Sequence, residues 1–237
     1  MRVPRLFVEQ PLGEGQSIEI AAERAHYLRN VLRLRTGASV DLFNGRSGEW
    51  RATMAGIDRR RITLEIGAQR RPQADESGPV LLFAPIRRNR LEWMLEKAVE
   101  LGVHALVPVV TEHAVVELGR PDRLRARLIE AAEQCGRLTV PEIGQVVSLE
   151  DVIERHAELV VADERRDGQP LLAALEDRPD SPLLVGPEGG FSDAERRLLA
   201  DAGARFTTLG PLVLRAETAA LFVLAAWRAL ESDVEDE

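Results

Sequence analysis

The hydrophobic pattern of this chain changes period once, across residues 70–79, and that change constrains the fold more than any other feature. Before it, apolar residues alternate in short runs: Leu6-Phe7-Val8, Ser17-Ile18-Glu19-Ile20, Val40-Asp41-Leu42-Phe43, Glu49 to Met54 and Arg61 to Ile66. Alternation with a period of two buries one face of a strand. Gly37, Gly45, Gly48 and Gly56 supply turns between the runs, with Asn44-Gly45 the strongest tight-turn signal. These residues predict a small β-barrel. After the change, apolar runs and helical stretches take turns: Val80 to Ile86, a helix over Asn89 to Leu101, Val103 to Val110, a helix from Asp122 to Cys135, Leu159 to Ala162, a short helix through Leu171 to Leu175, and Leu183 to Val185. Such an order predicts a parallel α/β sheet. The stretch between is polar and aperiodic, so the expected domains are 1–73 and 74–237.

One helix interrupts the barrel pattern, from about Ala22 to Leu34, with Ala25, Leu28 and Leu32 as its buried stripe. His26, Arg29 and Arg33 have the same spacing beside it. They read either as a phosphate-binding ridge or as an ordinary solvated face. In the second domain, Asn89 is positioned to cap its helix and Gly102 to end it.

Net charge is −8, which taken whole argues against nucleic acid, but the charge is unevenly placed. Residues 1–73 hold 13 Arg against 8 Asp or Glu, a net of +5, and the remainder carries −13. Lys97 is the only lysine, so the basic groups are almost all arginines, suited to bidentate phosphate contacts; codon bias is the alternative reading. The single Cys135 excludes an internal disulfide, and His26, His104, His113 and His156 have no zinc spacing, so no metal is expected. No apolar run approaches a membrane span and no signal-like segment opens the chain, which predicts a cytoplasmic protein with no membrane partner. The acidic end, Glu231 to Glu237, reads as a frayed tail.

Two segments concentrate the chemistry. Gly186-Pro187-Glu188-Gly189-Gly190-Phe191 follows an apolar strand and opens a helix whose Ser192 and Glu195 have capping-box spacing. Its glycines allow close backbone approach to a ligand, at the carboxyl end of a strand where α/β sheets bind. The spacing is neither a P-loop nor GxGxxG, which disfavours a nucleoside triphosphate or NAD; a purely structural turn is the other reading. The second segment, Leu209-Gly210-Pro211-Leu212-Val213-Leu214-Arg215-Ala216-Glu217-Thr218-Ala219, leads into an apolar helix from Ala220 to Leu230. A helix apolar on nearly all sides threads a core or forms a subunit interface. Arg215 and Glu217 at its mouth are either functional charges or an ion pair closing the helix start.

Taken together, these two segments resemble the cofactor-binding trefoil knot of SPOUT methyltransferases. Glu96-Lys97-Ala98-Val99-Glu100-Leu101-Gly102-Val103, Pro108, and Glu130-Ala131-Ala132-Glu133-Gln134-Cys135-Gly136-Arg137 with Val140-Pro141 narrow the resemblance to the ribosomal RNA small subunit methyltransferase E family. That family also begins with a PUA-like barrel, matched by Arg5-Leu6-Phe7 and the helix carrying His26 to Arg33, so the similarity spans nearly the whole chain. Thr111-Glu112-His113 and Cys135 depart from its usual Ser-Glu-Arg and Ser; these departures bear on local RNA contacts, not on the knot.

The resemblance implies an α/β SPOUT domain with a deep trefoil knot behind a PUA-like β-barrel, a homodimer, and methylation of a uridine at N3 in 16S rRNA of the 30S subunit. Its cofactor would be S-adenosyl-L-methionine, leaving S-adenosyl-L-homocysteine. The cofactor site would comprise Leu184, Val185, Gly186, Pro187, Glu188, Gly189, Gly190, Leu209, Gly210, Leu212, Val213, Leu214, Arg215 and Ala219. Uracil N3 is largely protonated at neutral pH, so a base or a cation that stabilises the ring oxygens is needed. Arg215 is the expected stabiliser, and Glu217 or Glu188 the expected base. Arg5, His26, Arg29, Arg33 and Arg137 would contact RNA. Other SPOUT activities, on transfer RNA or ribose 2'-OH, and a noncatalytic ribosome-assembly factor are the competing readings.

Overall fold

Strands β1 (Arg5–Phe7), β2 (Ser17–Ala21), β3 (Ser39–Phe43), β4 (Glu49–Ile57) and β5 (Arg61–Arg71) make one sheet in the order β1-β3-β4-β5-β2. The computed structural model describes residues 3–58, 61–114, 118–156, 158–165 and 167–234. It divides into two units, 1–76 with 132–140 and 77–131 with 141–237. In the first unit, alternation places Val40, Leu42, Ala52, Met54, Ile62, Leu64 and Ile66 in one core with Leu6, Ile18 and Ile20. Register shifts along β4 and β5 bend the sheet over that core. Asn44-Gly45 opens a longer loop than a two-residue turn: the Asn44 side-chain oxygen accepts the N–H groups of Arg46 and Ser47, and Gly45 and Gly48 both have positive φ.

The helix predicted from Ala22 to Leu34 is shorter. It runs as α1 (Ala22–His26), widens into a π turn over Tyr27–Val31, and ends at Arg33, whose φ is 54°. Leu34 N–H bonds to Leu28 C=O across this residue, the closure a left-handed C-cap produces. Ala25 and Leu28 are buried as predicted. His26, Arg29 and Arg33 do not share one stripe, because the wider turn and the left-handed residue break the helical period.

The second unit is a parallel sheet in the order β11-β13-β10-β12-β6-β7-β8, with β9 paired to β7. Its strands are β6 (Val80–Phe83), β7 (Ala105–Val110), β8 (Glu142–Ile143), β9 (Val147–Ser148), β10 (Val160–Ala162), β11 (Gln169–Pro170), β12 (Leu183–Val185) and β13 (Arg205–Thr208). The helices are α2 (Arg88–Glu100), α3 (Pro121–Cys135), α4 (Leu149–Arg155), α5 (Leu171–Asp177), α6 (Asp193–Asp201) and α7 (Ala216–Val234). Asn89 lies inside the first turn of α2 and Arg87 occupies the cap without a side-chain hydrogen bond, whereas Gly102 ends the helix at φ 87°. The capping box of α6 forms in both directions.

Helix α7 packs on α2, α5 and β12. It buries one line of residues, Ala216, Ala219, Ala220, Val223, Leu224 and Trp227. Burial on nearly all sides was expected from its composition; within one chain the other face stays open, with Phe222 47% exposed. The helix continues through Val234 rather than fraying from Glu231, and residues 235–237 lie outside the described residues. Among the described residues, no helix is long and apolar enough to cross a membrane, and no group of three or more His, Cys, Asp or Glu could hold a metal ion.

Candidate active site

Three loops leave the carboxyl ends of β13, β10 and β12, which are adjacent in the sheet, and together they wall a cleft. The lining comes from Ala162 to Glu164 after β10, from Val185 to Phe191 after β12, and from Leu209 to Ala219 after β13. Its lining, mostly apolar side chains and glycine backbone with a few carboxylates, is that of a small-molecule site. Of the expected cofactor residues, Val185, Gly186, Pro187, Glu188, Gly190, Leu209, Gly210, Leu212, Val213, Leu214 and Ala219 meet there. Leu184 is buried in the sheet core, Gly189 backs onto His113, and Arg215 is exposed outside the lining.

Glycine is required where these loops fold tightly. A Cβ on Gly190, which has φ 67°, would stand 2.4 Å from Glu164 Oε1, and one on Gly186 would stand 2.9 Å from the Phe191 ring. Gly210, at φ 107°, has no such neighbour, so its open side leaves the cleft unobstructed. The turn after β12 is held by a Gly190 N–H bond to Pro187 C=O, and His113 Nδ1 lies 3.1 Å from Gly190 O. Glu195 fixes the start of α6 twice over: one carboxylate oxygen accepts Ser192 N–H and the other accepts Glu112 N–H, each at 2.8 Å. Beneath the cleft, Asp163 pairs with Arg196, whose guanidinium also stacks on Phe206 and reaches Asp167.

The charges at the mouth of α7 do not close on each other. Glu217 is 7% exposed and pairs instead with Arg90 of α2, at 3.6 Å from Nε. Arg90 Nη1 donates to Glu188 at 3.1 Å, so one guanidinium spans both carboxylates expected as the base. The second oxygen of Glu217, Oε2, is buried and has no hydrogen-bond partner among the described residues. Sequence reasoning missed Arg90, Asp163 and Glu164. The Leu159–Ala162 run ending at Asp163-Glu164 has the same strand-then-loop form as the two segments that were recognised. Nothing local marked Arg90.

Of the residues expected to contact RNA, two are turned into the first unit. Arg5 is 6% exposed at its side chain; it pairs with Glu49, donates to the carbonyls of Ala132, Glu133 and Arg137, and stacks on Phe43. Arg137 lies against Glu76, which also accepts the N–H groups of Leu138 and Thr139. The Arg5 donors are taken up by one carboxylate and three carbonyls, and Arg137 is held by Glu76 and the Thr139 hydroxyl, so each has a structural partner set in this fold. His26 and Arg33 are exposed, and Arg29 donates to Asn30 and to Asp58 O.

Comparison with known proteins bears on this site. A family described as "RNA methyltransferase domain" matches residues 76–228, and one described as "RNA methyltransferase PUA domain" matches 20–67. Ribosomal RNA small subunit methyltransferase E of Rickettsia conorii is 31% identical over 242 residues, covering 100% of this chain and 99% of that protein. The chain belongs to the ribosomal RNA small subunit methyltransferase E family. Among solved structures, methyltransferase E from Neisseria gonorrhoeae bound to S-adenosyl methionine is similar, with a TM-score of 0.85 and 28% identity over 97% of this chain and 98% of that one. A Legionella pneumophila methyltransferase in complex with the bound cofactor SAM gives a TM-score of 0.86 at the same identity and coverage. The α/β architecture and the PUA-like first unit are thus those of the methyltransferase E family. The two local departures from the family pattern are accommodated differently: His113 packs on the loop after β12, whereas Cys135 Sγ faces Ala132 O at 3.9 Å.

Proposed function

We propose that this chain methylates small-subunit ribosomal RNA with S-adenosyl-L-methionine as donor, at N3 of a uridine. The observation that carries the reading is one cleft, in a member of the methyltransferase E family, built by the two motif loops and the loop after β10. The cleft fits the cofactor on its own geometry. Gly210 leaves open space for a ligand, Val185, Phe191, Leu212, Val213 and Leu214 offer apolar surface to an adenine, and Glu164 and Glu188 line the rim where a cationic group would rest.

When bound, S-adenosylmethionine supplies an activated methyl group on a sulfonium. The protein's own residues then have to align uracil N3 and manage its proton. Arg215, exposed beside the cleft, is the group assigned to stabilise the ring oxygens as N3 loses its proton. Glu217 is the favoured base over Glu188, because its Oε2 is buried and unpartnered among the described residues, whereas Glu188 is committed to Arg90 at 3.1 Å. Arg90 is a positioning residue that holds the two carboxylates apart in fixed orientation.

The remaining features follow the same reading. Residues 1–73 serve as the RNA-binding domain and 74–237 as the methyltransferase domain, and within 1–73 the RNA-facing role falls to His26, Arg29 and Arg33. The deep knot is supported by the position of β13, inserted between β11 and β10 although it comes last among the strands. A homodimer is supported by the open apolar face of α7 and by Leu212 and Val213, 73% and 68% exposed. The working compartment is the cytoplasm, where the 30S substrate resides. The test is methyl transfer from labelled cofactor to 30S subunits lacking N3-methyluridine, with mass spectrometry of the nucleosides. New N3-methyluridine that disappears with Arg215→Ala is expected; tight cofactor binding with no methylated nucleoside would overturn the reading.

A further inference from the structure

A cluster of arginines on the second unit lies outside the cleft. Arg88 on α2 and Arg123 and Arg127 on α3 converge on a single carboxylate, Glu92, with N···O distances of 3.1, 2.9 and 3.7 Å. Arg127 also reaches Glu130 at 2.8 Å. Arg87 and Arg120 flank the group in sequence and are exposed, and the backbone at Gly119 runs beside Arg88. Residues that are distant in the chain thus bring three guanidinium groups around Glu92, one of them also held by Glu130. This happens in a unit whose sequence carries 17 basic and 28 acidic residues, a net of −11.

Stability accounts for only part of the arrangement, because the Glu92 side chain is 13% exposed and one carboxylate would suffice for one arginine, while three like charges drawn to one anion repel one another. Glu92 also acts as a hub that gathers the three arginines while their side chains stay about half exposed. Burial pushes its carboxyl up, but hydrogen bonds from Arg123 and Arg88 outweigh that and hold it below the ordinary carboxylate range. Arginine forks fixed in this way fit phosphate oxygens bidentately. Trp93, the next residue on α2, is 47% exposed and adds an aromatic face of the kind on which bases stack.

We propose that Arg88, Arg123 and Arg127, gathered around Glu92, form a phosphate-binding surface for the RNA substrate. The surface sits at the start of the helix that also carries Arg90. Arg88 and Arg90 are separated by roughly 3 Å along the axis but by about 200° around it, so the surface occupies a different face of α2 from the one that meets Glu188 and Glu217. This deepens the RNA-methyltransferase reading and rests on it.

The test uses the full chain and a labelled single-stranded oligouridine, with binding followed by fluorescence anisotropy across a salt series. The double variant Arg123→Ala/Arg127→Ala is compared with Arg205→Ala, which removes an exposed arginine paired with Asp177 elsewhere on the unit. Loss of two phosphate contacts should weaken binding roughly tenfold and make the salt slope shallower by roughly 1.4, at about 0.7 per phosphate on a single strand. Arg205→Ala should match the parent, and cofactor affinity should be unchanged in both variants, which excludes unfolding. The double lysine variant should restore most of the slope. Binding and slope equal to the parent in the double variant would overturn the proposal and leave an acidic polypeptide as the ligand the surface fits. Because the readout is binding, intact oligouridine binding without methylation of any ribosomal RNA would sink the functional reading and spare the surface.

Discussion

The Arg90 guanidinium lies between two carboxylates, 3.1 Å from Glu188 and 3.6 Å from Glu217. Its removal would free both carboxylates at once and leave Glu217 buried without its ion-pair partner. Hydrogen bonds to charged groups contribute about 1.5–3 kcal/mol, so Arg90→Leu should lower kcat by roughly 10- to 100-fold. Arg90→Lys, which keeps charge without the fork, should recover part of the loss. Cofactor affinity, measured by calorimetry, should change little, because Arg90 does not line the cleft. Equal losses in cofactor affinity and kcat would show a structural role instead.

Gly190→Ala should weaken cofactor binding severalfold. The added methyl would displace the Glu164 side chain, which lines the cleft, and would force alanine into a left-handed conformation that costs about 1 kcal/mol or more. Gly203→Ala is the control for backbone strain alone: φ there is 80°, and nothing stands within 4 Å of the added methyl. That variant should lose stability in thermal melts and keep its affinity.

Arg5→Ala tests whether this residue is part of the first unit's interior. Removing one partner of a buried, hydrogen-bonded pair costs about 3–5 kcal/mol, and here three carbonyls lose a donor as well. Denaturant unfolding should show destabilisation of that order in the absence of RNA. A variant of parental stability that loses only RNA affinity would return Arg5 to the role predicted from sequence.

The pH dependence of the first unit should carry the signature of Glu76. Burial pushes its carboxyl up, but the Thr139 hydroxyl, the Leu138 N–H and Arg137 more than offset this, and its pKa lies below the ordinary value. A depressed folded-state pKa gives stability that is fully present above the unfolded pKa, about 4.3, and is lost as pH falls through the folded value. Thermal melts should therefore fall as pH drops below about 4, and Glu76→Gln should be less stable at neutral pH with a flatter acid limb.

Phe222→Asp should separate the subunits if the open face of α7 is the dimer contact. Sedimentation would show the parent as a dimer and the variant as a monomer with a similar melting profile. A monomeric parent would remove the dimer from the functional reading.

Much of this was legible in the sequence wherever local chemistry decided the outcome. The Ser192/Glu195 capping box, the Gly102 helix end and the Leu183–Val185 strand depend on neighbouring residues, and each formed where it was read. The helix after Ala22 was misread because a π turn keeps the same apolar positions buried while changing which polar ones face together. Arg5 and Arg137 were assigned to RNA because their charge is visible in the sequence and their partners are not. Glu49 and Glu76 lie 44 and 61 residues away from them. Arg90 and the Glu92 hub were missed for the same reason, since their meaning comes from α3 and from the two cleft loops.

The order of strands also sets when the cleft can exist. Strand β11 pairs with β13, not with its sequence neighbour β10, so it has no place in the sheet until residues 205–208 arrive. Pairings of such long sequence separation form late and slowly. During synthesis, the nascent chain can complete strands β6 to β8 and begin packing α2 while the cofactor site is still three disconnected loops. Cofactor affinity should thus emerge abruptly, after the last loop and the start of α7 have left the ribosome, and the enzyme passes from inert to competent in a single closing event.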